Sequence, residues 1–138
     1  MIDGIKPFSP QDIPPERALA LPPSLELDMF IYSRILDGPE DALHPTRVGS
    51  LPSFSRRLSD CGPMLIMVMM ELGPVNLDVS PDFFHEAKAK GFMVRDRQVP
   101  TWRLESAKVG VVGYGRTFPE VLCKALIRHK LFPQDSPA

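Results

Sequence analysis

The residues best placed by type and spacing to hold a ligand are Gly113-Tyr114-Gly115-Arg116-Thr117, between an apolar run and the start of an amphipathic helix. Free backbone N–H groups and the helix dipole favour an anion at such a junction, and Arg116 could add a charge-assisted bond to a phosphate. The stretch lacks the lysine of a Walker loop and the full glycine spacing of a dinucleotide fingerprint. A simple change of chain direction is therefore the ordinary reading, with anion or nucleotide binding as the sharper one. A second set is Arg95, Arg97 and Arg103. The first two are two residues apart and the third falls on the neighbouring expected strand, so all three could share one sheet face and receive a nucleotide signal or an acidic protein. A solvated face paired with Glu105 and Asp96 is the plainer account.

Catalytic chemistry has less to build on. His44, His85 and His129 are isolated in sequence, and neither Cys61 nor Cys123 has a CxxC or CxxH partner. His85-Glu86 is half of a zinc motif, but position 89 is alanine. Cys123, at the polar edge of a helix stripe, reads as a packed thiol. No Ser-His-Asp set follows from spacing. The expectation is a protein that is not an enzyme, with no cofactor and no metal.

The elements that would position these residues are legible around the same junction. Thr117 is a good N-cap with Glu120 three residues on, and Pro119 falls in the first turn, where its missing N–H costs nothing. Phe118, Val121, Leu122, Ala125 and Leu126 make one apolar stripe, with Lys124, Arg128 and Lys130 off it or near the C-terminal end. Val109, Val111 and Val112 are apolar on both strand faces, which predicts a central strand covered on both sides, turning at Gly113 to Arg116.

Upstream, proline breaks residues 1–23 repeatedly, which predicts an extended N-terminal arm or irregular wrap that Ile2, Ile5, Phe8 and Ile13 could pin to the domain or to a partner, with a poorly ordered terminus as the plainer account. Ser24 then caps a helix with Leu27, Phe30, Ile31 and Ile35 on its buried stripe, stopped by Asp37-Gly38-Pro39. A second helical region from about Ser53 to Leu72 is interrupted at Gly62-Pro63. Its run Pro63-Met64-Leu65-Ile66-Met67-Val68-Met69-Met70 is apolar on nearly every side, so it must be buried in the core or in a partner interface, the core being the plainer choice. Val75 to Val79 reads as a strand, Ser80 to Gly91 as a short helix, and Phe92 to Val99 and Thr101 to Ser106 as two further strands, with Trp102 and Leu104 on one face. The expected fold is α/β (α+β): an antiparallel sheet of about four strands flanked by helices. Residues 24–132 form one domain, preceded by the arm and followed by a short tail, 133–138.

Bulk properties narrow the function classes. A chain of 138 residues suits one domain with a real core. A formal net charge of -1 argues against generic nucleic-acid binding, which needs a basic face to neutralise phosphates. Two cysteines make no disulfide framework, and the longest apolar run falls short of the ~20 residues that span a bilayer. Reduced thiols, a cytoplasmic setting and no membrane contact are expected.

Glu26-Leu27-Asp28, then Pro52-Ser53-Phe54-Ser55, then Trp102, then Thr117-x-Pro119-x-x-x-Cys123-Lys124-Ala125-Leu126 together resemble the small bacteriophage proteins grouped as the phage ABA sandwich domain. The resemblance covers roughly residues 24–131 and rests on the order and spacing of the motifs. The arm, the Gly62-Pro63 interruption and the Ser80 to Gly91 segment depart from the family pattern. It implies a helix–sheet–helix sandwich in a phage accessory protein that acts in the cytoplasm of the bacterial host. The implied role is binding a host or anti-phage defence protein, or sequestering an anionic nucleotide signal. The alternative is a structural or assembly protein, a homo-oligomer joined through the arm and the methionine-rich helix; a small hydrolase ranks third.

Overall fold

The computed structural model describes residues 13–38, 51–92 and 99–132. Among the described residues, five α-helices and one antiparallel sheet make an α+β domain. Helix α1 spans Pro15–Ala20 and α2 spans Leu25–Phe30, continuing through a wider π-type turn over Ile31–Ile35. Helix α3 is Gly62–Leu72, α4 is Phe83–Ala89 and α5 is Phe118–Leu131. Strands β1 (Val75–Ser80), β2 (Thr101–Ser106) and β3 (Gly110–Gly115) pair in the order β1-β2-β3.

Local signals account for most boundaries. Ser24 Oγ accepts from Leu27 N at the start of α2, and Leu27, Phe30, Ile31 and Ile35 are all buried. Thr117 Oγ1 likewise accepts from Glu120 N at the start of α5. Gly91, at φ 82°, supplies the left-handed residue just after α4. In the sheet, Leu77 pairs with Leu104 and Val79 with Trp102, so these apolar residues share one face; α5 packs against β2 and β3, while Val79 on β1 remains exposed.

Three expectations are corrected. The described part of the N-terminal arm is not extended: Pro14 and Pro15 stand at the entrance of α1, where proline removes no helical hydrogen bond, and Pro22-Pro23 follow its end. Ile13, Ala18 and Leu19 then dock against the core, α1 touching α5. Second, the strand of Val109 to Val112 does not turn at Gly113; β3 continues through Gly115. Third, β3 is an edge strand among the described residues, and β2 is the central one. The apolar character of β3 on both faces reflects α5 on one side and α4 on the other, not strands on both edges. Three strands are present among the described residues, and most of the expected fourth strand, Phe92 to Val99, lies outside them.

Helix α5 is the hub. It contacts β3, β2, α1, α3 and the π-type turn, and every residue from Pro119 to Ile127 is buried. Its approach to β3 is close because β3 offers glycine there. A Cβ built on Gly113 would lie 2.8 Å from Ala125 Cβ, and one on Gly115 would lie 2.6 Å from Val121 N. Both contacts are closer than a real Cβ tolerates. The two glycines thus serve packing, strand against helix.

Candidate functional site

The expected ligand loop, Gly113 to Thr117, folds into a junction whose polar groups answer one another. Glu120 reaches back along the first turn of α5, its Oε1 accepting from Arg116 N at 2.7 Å and from Arg116 Nε at 2.9 Å. Its Oε2 accepts from the Arg116 guanidinium at 2.5 Å and faces Lys124 Nζ at 2.6 Å. Lys124 also donates to the Phe92 carbonyl at 2.7 Å. The positive end of the helix therefore already holds an anion, the chain's own Glu120. Burial alone would raise the Glu120 carboxyl, but the Arg116 hydrogen bonds and the Lys124 charge outweigh it and hold the pKa below its usual value. Burial pulls Lys124 down to about 8 despite Glu120.

Lys124 was expected off the buried stripe of α5. It is buried instead, because α5 is enclosed by the sheet on one side and by α1 and α3 on others, leaving no polar face until Arg128. Cys123 is buried as expected of a packed thiol; burial, followed by the field of Asp28, raises its pKa well above 9.0, so it stays protonated and un-nucleophilic.

A second cluster lies on the opposite face of the sheet, under α4. Asp78, Arg103 and Tyr114 are register partners across the three strands. The buried Tyr114 hydroxyl donates to Glu86 Oε1 at 2.7 Å, Lys90 Nζ lies 3.4 Å from that hydroxyl, and Arg103 approaches the same carboxylate at 3.5 Å. The Arg103 guanidinium also sits 4.0 Å above the Phe83 ring. Burial and then the Glu86 hydrogen bond push the Tyr114 phenol up, while the bond from Tyr114 lowers Glu86. A tyrosine held this way donates one fixed hydrogen bond and is not an available base.

The sequence-expected site residues are thus divided between two clusters. Gly113 and Gly115 face α5, Arg116 is bound to Glu120, Thr117 is the exposed cap, and Tyr114 and Arg103 meet on the α4 side. Arg95 and Arg97 lie outside the described residues. Among the described residues, no group of three or more histidine, cysteine or acidic side chains could hold a metal ion, and no helix is long and apolar enough to cross a membrane.

What residue-type reasoning weighed the other way is α3. Only Met64, Val68 and Leu72 of this helix are buried, while Ile66, Met69 and Met70 are 58%, 61% and 77% exposed. The methionine run is therefore half core and half surface. Uniform apolarity hid the division, since a helix with no polar face carries no signal of which side meets water.

No family model, curated protein or solved structure matches the chain.

Proposed function

We propose that the protein is a non-enzymatic phage accessory protein that acts by binding another protein, and that its binding surface is the exposed apolar face of α3. The observation carrying this reading is the exposure of Ile66, Met69 and Met70 together on one helix face. Contiguous apolar surface of this kind marks interaction sites more often than scattered hydrophobic residues do, and methionine adapts its shape to a partner at little cost. The titratable clusters, by contrast, satisfy themselves internally. Arg116 in particular holds Glu120, which leaves nucleotide sequestration at Gly113 to Thr117 with less support than protein binding.

The phage origin and the host or defence target rest on the resemblance in residues 24–131. The test is to purify the protein and its Met70→Glu variant in parallel from phage-infected cells, with light scattering and thermal unfolding on both. The expected outcome is an assembly formed by the parent and lost in an equally stable variant. Assemblies indifferent to the substitution would overturn the reading.

A further inference from the structure

We infer that the outer edge of β1 pairs with the same edge of a second copy of this chain, antiparallel about Leu77, which joins two sheets into one. This surface is separate from the α3 face, whose helix packs on α5, and it does not depend on that reading.

The backbone determines what the edge offers. Among the described residues β1 pairs with β2 alone, in regular register from Val75 against Ser106 to Ser80 against Thr101. One position before the first pair, Ala107 N donates to the Pro74 carbonyl at 3.1 Å. Bonded and non-bonded pairs alternate along an antiparallel ladder, and a residue in a non-bonded pair turns its N–H and C=O to the other side. Asn76, Asp78 and Ser80 therefore face β2, while Val75, Leu77 and Val79 present their N–H and C=O outward. Gly73, at φ 70°, and Pro81, which has no N–H, bound this open ladder. Proteins blunt exposed edges with proline, lysine or a bulge. β1 contains none of these, and the register shift of the sheet lies between β2 and β3.

The side chains select the occupant and its register. Val75-Asn76-Leu77-Asp78-Val79 reads alike from either end, except that an amide answers a carboxylate. A two-fold interface makes residue i of one copy meet residue j of the other and the reverse. Centred on Leu77, it sets Val75 against the partner's Val79 and Leu77 against the partner's Leu77, so every outward N–H and C=O finds a match. Val79, 49% exposed, gains an apolar neighbour. On the other face Asn76 meets the partner's Asp78, twice, in non-bonded pairs whose side chains lie close enough for the amide to donate to the carboxylate. Both are exposed, and no hydrogen bond or ion pair occupies the Asp78 carboxylate among the described residues. Arg103, its register partner on β2, is engaged by Glu86 and the Phe83 ring instead. Centring on Asp78 would oppose two carboxylates and set Val75 against Pro81. Centring on Asn76 would set amide on amide and Val79 against Gly73.

The test is light scattering of the full chain over a concentration series, with amide hydrogen exchange read residue by residue. A two-chain mass is expected at high concentration. Exchange at Leu77 and Val79 should slow about ten-fold from the dilute to the concentrated sample, while Asn76 and Asp78, bonded to β2, stay unchanged. Val79→Pro removes an outward N–H and no bond to β2, so it should raise the dissociation constant about ten-fold or more without lowering the melting temperature of the dilute chain. Asn76→Asp, which opposes carboxylates twice, should raise it roughly five-fold, and Asn76→Lys, which keeps a donor for Asp78, should not. A monomer at every concentration would overturn the pairing. So would a dimer that Val79→Pro leaves intact, or Leu77 and Val79 amides already protected in the dilute monomer, since the edge would then be covered within one chain. Met70→Glu is expected to keep this dimer while losing the assembly with another protein. If Met70→Glu dissolves the dimer, the copies pair through α3 and the β1 edge falls; if it keeps both the dimer and the other protein, the α3 reading alone falls.

Discussion

Lys124 Nζ lies 2.6 Å from Glu120 Oε2, one helical turn along α5, and neither side chain reaches solvent. A charge pair enclosed in this way gains Coulomb energy but loses the hydration of both ions, so its net contribution is small unless every remaining polar atom finds a partner. Here Arg116 and the Phe92 carbonyl complete the set. The pair fixes the start of α5 against the segment at Phe92, a tie between points 32 residues apart in the chain.

Removing the cation is expected to be costly and pH-dependent. Lys124→Met should destabilise the fold by about 3 kcal/mol, the low end for breaking a buried pair, because Arg116 still holds Glu120. Lys124 titrates near 8 when folded against an ordinary 10.5, so between those values the unfolded chain binds more protons and stability gained through this group rises with pH. Glu120 works in the opposite range. Its lowered pKa contributes stability that is present above the ordinary 4.5 and lost as pH falls below it. Urea unfolding of parent and Lys124→Met from pH 7 to 10 should show the gap between them widening above pH 8. A constant gap would contradict the assignment.

Gly113→Ala and Gly115→Ala are each expected to lose about 1–3 kcal/mol by overpacking, since the added methyl meets the α5 backbone or Ala125. Adding Ala125→Gly should recover part of the Gly113→Ala loss but none of the Gly115→Ala loss, whose nearest contact is Val121 N. A double-mutant cycle in urea checks this, and two equal recoveries would refute the geometry.

Asp28, on α2, is fully buried and its Oδ1 accepts from Ser55 N at 2.7 Å and Ser55 Oγ at 2.6 Å, while Oδ2 accepts from Arg56 Nε at 2.9 Å. The carboxylate thus holds the turn that precedes α3. Asp28→Ala strands the Ser55 donors inside and should cost roughly 2–4 kcal/mol, whereas Ser55→Ala, which keeps the backbone bond, should cost roughly 1 kcal/mol. Thermal melts that rank the two variants the other way would show that the turn is held by something else.

The resemblance motifs Glu26-Leu27-Asp28 and Pro52-Ser53-Phe54-Ser55 meet in this one contact, which spacing alone did not reveal. The helix caps at Ser24 and Thr117, the buried stripe of α2, the strands β1 and β2 and the glycine after α4 were all legible, because each is written in residues within a turn or a strand of one another. Helix α1, in the described part of the arm, was missed because proline marks both a helix entrance and an extended chain. β3 was misplaced because an apolar strand looks the same whether strands or helices cover it.

The amino-acid sequence by itself therefore determined the capped starts of α2 and α5, the strands β1 and β2 and the α+β class of the fold. Tertiary structure alone decided that β2 is central, that Lys124 and Glu120 are enclosed, that Gly113 and Gly115 admit a helix, and that half of the methionine run faces water. The reason is physical. Capping, proline geometry and periodicity act over about one helical turn, whereas burial depends on which distant segments pack together, and an all-apolar helix or a lysine near a stripe is compatible with either outcome until they do.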